Sequence, residues 1–206
     1  MTKISMRYRD KARKRLLESA DVKKKVAEEC LESILEATKL IIDTFKSGGK
    51  VLLCGNGGSA ADCQHMATEL VNALNKDFFR PTLPAFALTT DTSVMTSFAN
   101  DYGFEGVFER QVQGLGKRND LLIGISTSGN SRNVIKAVIA ANAQKMHTLA
   151  LTGDSGKLQE IANVTISVPS NNTQYIQESH IAIEHILCEI VEDYLFGAKK
   201  VRYGNK

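Results

Sequence analysis

The chain has 206 residues, 43% hydrophobic and 24% charged, enough apolar material for one proper core and too much for a disordered or low-complexity protein. Aromatic residues make up only 6%, with no Trp, which argues against a stacking surface for single-stranded nucleic acid or carbohydrate. The formal charge of +3 hides an asymmetry, because residues 1–25 carry ten Lys or Arg against three Asp or Glu. Such an arm reads either as a contact for nucleic acid or an acidic partner, or as a solvated helix face. Leu16, Leu17, Val22, Val26 and Leu31 recur at helical spacing and favour the helix. The spacing continues through Ile34, Leu35, Leu40 and Ile41 and stops at Ser47-Gly48-Gly49, which predicts a helix over 19–46.

After residue 49 the pattern changes to short apolar runs bounded by Gly, Ser, Thr and Asp, the signature of buried parallel strands. Strands are expected at 51–54, 85–88, 121–125, 148–151 and 164–168. Helices are expected at 60–74, 93–99, 108–114, 131–143 and 157–161. A last long helix over 173–195 carries an apolar stripe of Ile176, Ile183, Ile186, Leu187, Ile190 and Val191 and ends at Phe196-Gly197. Alternating strands and helices imply right-handed crossovers, so the fold class is α/β: a single doubly wound five-stranded parallel sheet flanked by helices, with long helices at both ends. The organisation is a helical arm (1–48), one domain (49–197) and a short tail (198–206). The wide apolar faces of the terminal helices suggest packing against another subunit. The N-terminus has no apolar signal region, no run approaches the roughly 18 residues of a membrane span, and Cys30, Cys54, Cys63 and Cys188 contain no C-x-x-C pair. These features predict a soluble cytoplasmic protein with reduced cysteines.

Two loops carry the chemistry, because ligands of parallel sheets bind where strands end and helices begin. The first is Cys54-Gly55-Asn56-Gly57-Gly58-Ser59-Ala60-Ala61-Asp62, whose glycines permit close backbone approach and whose Ser59 can cap the next helix. It is neither G-x-G-x-x-G nor a P-loop. The second is Ser126-Thr127-Ser128-Gly129-Asn130-Ser131, where four hydroxyls meet a helix N-terminus, a combination suited to phosphate. Arg132 lies one residue into that helix and is expected to point away. His65 and Glu69 stand four apart on the helix after the first loop, about 6 Å along its axis, which suits a divalent metal, an acid–base pair or an ordinary surface pair. His147 reads as a strand-entry residue, and His180 faces either the site or solvent.

Gly-Asn-Gly-Gly-Ser-Ala-Ala-Asp (55–62) and Ser-Thr-Ser-Gly-Asn-Ser (126–131), with Asn100-Asp101-Tyr102-Gly103 between them and Ile176-Gln177-Glu178 after, resemble the sugar isomerase (SIS) fold. More narrowly they are similar to the phosphoheptose isomerases, over about residues 20 to 197. The resemblance implies isomerisation of sedoheptulose 7-phosphate to glycero-manno-heptose 7-phosphate through an enediol, a step towards bacterial surface-polysaccharide heptose. It implies Glu69 as base and His185 as acid. It implies a zinc site at His65, Glu69, Gln177 and His185, with the metal polarising the carbonyl. If Glu69 both holds metal and takes a proton, the two roles compete. Ser126, Thr127, Ser128 and Ser131 would bind the phosphate. Asn56, Gly57, Gly58, Asn100, Asp101 and Gln177 would contact sugar hydroxyls, with Ser59 and Asp91 as further candidates. On one helix Gln177 and His185 are about 12 Å apart and about 80° around, so either the helix start is distorted, two chains contribute, or metal occupancy is partial. The family's usual Thr-x-Arg before Ile-Gln-Glu is here Thr173-Gln174-Tyr175. A homotetramer with sites near subunit interfaces is implied, with no nucleotide cofactor, membrane or nucleic-acid partner. The alternative is a non-enzymatic SIS-type regulator of the replication initiator, although such relatives lack the residues matching Glu69 and His185.

Overall fold

Period-two alternation along the central strands sorts the core into two layers. The computed structural model describes residues 3–75 and 79–197. Helices α1 (Lys3–Glu29) and α2 (Leu31–Lys46) precede β1 (Val51–Gly55), α3 (Gly58–Val71), β2 (Ala85–Ala87) and α4 (Thr92–Tyr102). A 3-10 turn (Phe104–Gly106) leads into α5 (Val107–Leu115), β3 (Leu121–Ser126), α6 (Arg132–Ala143), β4 (His147–Thr152), α7 (Leu158–Ile161), β5 (Val164–Ser167) and α8 (Thr173–Phe196). The predicted tail 198–206 lies outside the described residues.

The five strands are all parallel, in the order β2-β1-β3-β4-β5. Val51, Leu53, Leu121, Ile123, Leu149 and Leu151 face one side, where they pack with Ile34 and Ile41 of α2, Met66 and Leu70 of α3, and Ile183 and Leu187 of α8. Leu52, Cys54, Leu122 and Ala150 face the other, against Val107, Phe108 and Val112 of α5 and Val134 and Val138 of α6. Each fully buried Leu, Ile or Val contributes roughly 1.5–3 kcal/mol, and both faces are covered, which is why the strand runs are continuously apolar. All four cysteines are free and buried. Among the described residues no helix is long and apolar enough to cross a membrane.

Two local expectations are corrected. The helix predicted over 19–46 bends at Cys30, whose backbone leaves helical geometry at φ −110°, ψ 2°. The Cys30 thiol donates to the Ser167 carbonyl at 3.3 Å, while Cys30 N–H to Val26 and Ile34 N–H to Cys30 keep the main-chain ladder running through the bend. The second correction is Ser59, which does not cap α3. The helix starts at Gly58 behind Gly57, whose φ of +56° is the left-handed region that favours glycine, and Ser59 lies buried in the first turn.

β1 connects to β2 on one side and, through later crossovers, β3 lies on its other side. This reversal opens a crevice at the carboxyl ends of β1 and β3, the switch point at which such sheets bind ligands. The loops at 55–58 and 126–131 flank it.

Gly124 of β3 sits where an added Cβ would come 2.9 Å from Val134 Cγ1 and 3.3 Å from Val138 Cγ2, both on stiff β-branched side chains. Gly124→Ala is therefore expected to lower stability by about 1–3 kcal/mol through overpacking, read as a reduced urea midpoint with unchanged slope.

Candidate active site

The crevice at the switch point is about 410 Å³ and is lined by Asn56, Gly57, Phe104, Glu105, Ser131 and Asn133, among others. Its floor is tied across the two loops by a reciprocal amide pair: Asn56 Nδ2 donates to Asn133 Oδ1 at 2.9 Å and Asn133 Nδ2 to Asn56 Oδ1 at 2.8 Å. The one sequence signal for Asn133 is its place two residues beyond the hydroxyl loop.

Three of the four hydroxyls converge. Ser126 Oγ lies 2.9 Å from Ser131 Oγ and 3.4 Å from Ser128 Oγ, above the start of α6, which no side chain caps. Unsatisfied first-turn N–H groups and the helix dipole make this end anion-binding. Thr127 instead holds the loop through its carbonyl, which accepts from Gly153 N–H at 3.1 Å. Gly129 has φ +63°, and a Cβ there would lie 2.4 Å from the Ser155 carbonyl, so only glycine lets the loop close over 155–156. Arg132 does not point clear of the site: it lines the crevice and pairs there with Glu105 at 2.8 Å, with much of its side chain exposed.

His65, Glu69 and His185 are brought together from α3 and α8. His65 Nε2 lies 2.7 Å from His185 Nε2 and 3.6 Å from Glu69 Oε1, with the two rings edge to face. The side chains of His65 and Glu69 are 37% and 17% exposed, so a substrate can reach both. Gln177 is not part of this cluster. Its Nε2 donates to Asp62 Oδ1 at 2.7 Å, and its side chain covers Gly58, where an added Cβ would come 3.4 Å from Gln177 Cγ. α8 is helical from Thr173, so a distorted start at Gln177 is excluded and the 12 Å separation along α8 stands.

The donor set of two imidazoles and a carboxylate suits a divalent metal. Among the described residues, however, no group of three or more His, Cys, Asp or Glu has the arrangement of a formed metal site. The two Nε2 atoms stand at hydrogen-bond distance, closer than the roughly 3.3 Å between two ligands of one tetrahedral zinc. Binding therefore requires the imidazoles to part.

Asn100 and Asp101 are exposed at the end of α4 and hydrogen-bond each other at 2.9 Å; from that stretch, Phe104 and Glu105 line the crevice instead. Asp91 is the N-cap of α4, accepting from Val94 N–H at 3.0 Å, a structural role. Tyr175, in the place of the usual Arg, donates its hydroxyl to Glu18 Oε2 at 2.6 Å beneath the Arg15 guanidinium, and this bond holds the Glu18 carboxyl below its ordinary range.

A buried polar layer beneath the site has no sequence signal, since its members lie on apolar helix faces. Asp62 Oδ2, both Glu184 oxygens and His180 Nδ1 have no hydrogen-bond partner. Burial, reinforced by Asp62, pushes the Glu184 carboxyl up to about 9, and burial raises Asp62 as well. His180 faces neither the site nor solvent: its Nε2 bonds the Thr152 carbonyl at 3.0 Å, and burial pulls it down to about 4.

The strand order, the glycine loop and the hydroxyl loop over a helix N-terminus define an SIS domain, and residues 16–153 match the SIS domain family. The phosphoheptose isomerase of Aliarcobacter butzleri is 51% identical over 172 residues, 83% of this chain and 90% of its own. Among solved structures, that of phosphoheptose isomerase from Neisseria gonorrhoeae has a TM-score of 0.85 at 42% identity, covering 90% of this chain and 99% of its own. That of a phosphoheptose isomerase from Francisella tularensis has a TM-score of 0.86 at 39% identity, covering 94% and 100%. The chain belongs to the phosphoheptose isomerase family.

His180 gives a signed pH dependence. Above its ordinary value of 6.5 it is neutral in both states. Between 6.5 and about 4 only the unfolded chain takes the proton, so stability falls as pH drops through that window, by about 3 kcal/mol in all. Glu184 acts oppositely, costing stability as pH rises from 4.5 towards 9. The difference between wild type and His180→Gln isolates the first effect: urea unfolding at pH 7.5 and 4.5 is expected to show a smaller acid loss in the variant.

Proposed function

We propose that the chain interconverts sedoheptulose 7-phosphate and D-glycero-D-manno-heptose 7-phosphate by proton transfer between C1 and C2. The observation that carries this reading is the convergence of Glu69 with His65 and His185, a carboxylate base beside imidazole acids on two helices. Glu69 removes a proton from C1 of the ketose while His185 donates one to the C2 carbonyl oxygen, and the C1–H electron pair becomes the double bond of the enediol. Protonation at C2 and loss of the proton on O1 then give the aldose. Ser126, Ser128 and Ser131 with the α6 amides bind the phosphate, and Asn56 and the glycine turn face the sugar.

Zinc belongs to the same reading. His65, Glu69 and His185 would hold it, Gln177 would join only on leaving Asp62, and the metal when bound supplies Lewis-acid polarisation of the substrate carbonyl. A homotetramer, with sites near subunit interfaces, is supported by what one chain leaves open. His185 is exposed beside the half-buried base, and a groove of about 370 Å³ along α3 and β2 carries the exposed Val71 and Phe86. Leu16, Leu17, Leu31 and Leu35 are also exposed. The buried thiols and the absence of a membrane-crossing helix among the described residues support a cytoplasmic location. No specific observation favours the regulator.

Glu69→Gln is expected to cut turnover of sedoheptulose 7-phosphate by about 10²–10⁴-fold, and full turnover would remove Glu69 as the base. Ser126→Ala, Ser128→Ala and Ser131→Ala should mostly raise KM, with kcat little changed. Elemental analysis before and after chelation is expected to show zinc bound to the chain, and activity lost on chelation and restored by zinc. A metal-free chain with undiminished activity sinks the zinc assignment. Light scattering on the eluting protein should give the mass of four chains; a monomer with full activity rejects shared sites.

A further inference from the structure

The last four carbonyls of a helix have no partner within it, and at the end of α3 each finds one. Thr68 O accepts from Asn72 N–H at 2.8 Å, Leu70 O from Leu83 N–H at 3.2 Å, and Val71 O from the Thr82 hydroxyl at 2.8 Å. The fourth belongs to Glu69, the proposed base, and it accepts from Arg80 Nη2 at 2.7 Å. Arg80 is only 3% exposed, an unusual place for a guanidinium, and each of its three nitrogens donates a hydrogen bond. Its Nε donates to Glu192 Oε2 at 2.8 Å and its Nη1 to the Pro81 carbonyl at 3.0 Å.

Glu192, also 3% exposed, accepts in addition from Leu74 and Asn75 N–H at 3.1 and 3.2 Å. It lies seven residues after His185 on α8, two turns along the same face. One guanidinium therefore grips α3 at the main chain of the base and α8 on the face that carries the acid. A positive charge at the C-terminal end of α3 is also favoured by the helix dipole. A buried pair of this kind is weak evidence of stabilisation, since an apolar pair of equal volume commonly does as well, and its use here is geometric.

We infer that Arg80, locked to Glu192, is a positioning residue that sets where Glu69 stands relative to His185. The inference rests on the isomerase reading above. Lys at position 80 keeps the charge but cannot reach Glu192, Glu69 and Pro81 together, because it lacks the planar fork.

The test compares wild type, Arg80→Lys and Glu192→Gln, each normalised to the folded fraction. Readouts are kcat and KM for sedoheptulose 7-phosphate, the isotope effect with substrate deuterated at C1, and hydrogen exchange of the backbone amides. The expected result is a kcat lower by about ten- to a hundred-fold with KM within about twofold, and a larger isotope effect. Faster exchange is expected at 69–75 with 58–65 unchanged. If Arg80→Lys does not fold, Glu192→Gln, which keeps volume and an acceptor, carries the same readouts. Unchanged kcat per folded chain, or exchange that rises evenly along α3, overturns the inference. An inactive wild-type chain sinks the isomerase reading and this inference with it.

Discussion

The contact between α3 and α8 is the constraint on which the proposed chemistry depends. Three polar rungs cross it: Gln177 to Asp62, His185 to His65, and Glu192 through Arg80 to the Glu69 carbonyl. Between the rungs Met66, Leu70, Ile183 and Leu187 pack into the larger core layer. Rise along both helices in the same order means that they run side by side in one direction. A shift of either by a turn, about 5.4 Å, would pull all three rungs beyond hydrogen-bond reach at once.

The proposed phosphate site and the proposed proton-transfer group stand on different parts of the same crossover. The hydroxyl loop and the Asn56–Asn133 pair belong to the strand ends, where backbone amides and a helix N-terminus favour an anion and Arg132 lines the same crevice. Glu69, the proposed base, lies about 16 Å further along α3 from Gly58.

The sheet was legible because the central strands β1 and β3 are apolar runs ended by Gly or Ser and buried along their whole length. The hydroxyl loop was legible because its residue types are unusual together. His65 and Glu69 were visible as a helical pair, but the choice among metal, acid–base and surface roles needed the approach of His185 from 120 residues away. Asp62, Glu184, Arg80 and Glu192 were opaque, since a charged residue is normally a solvated one and nothing in the spacing says which of them is buried. The bend at Cys30 was hidden for the opposite reason: hydrophobic periodicity and the main-chain ladder both continue through it, and a single thiol contact with Ser167 marks the bend.

The cysteines described as core residues have a consequence for handling the protein. Burial pushes the Cys54 thiol up to about 12 and raises Cys30, Cys63 and Cys188 as well, so almost no thiolate exists in the native state at neutral pH. Alkylating reagents and mild oxidants react with the thiolate, and in this fold they must wait for the chain to open. The four thiols are spread over the α1–α2 bend, β1, α3 and α8, so the rate at which each is modified clocks how often its own part of the molecule comes apart.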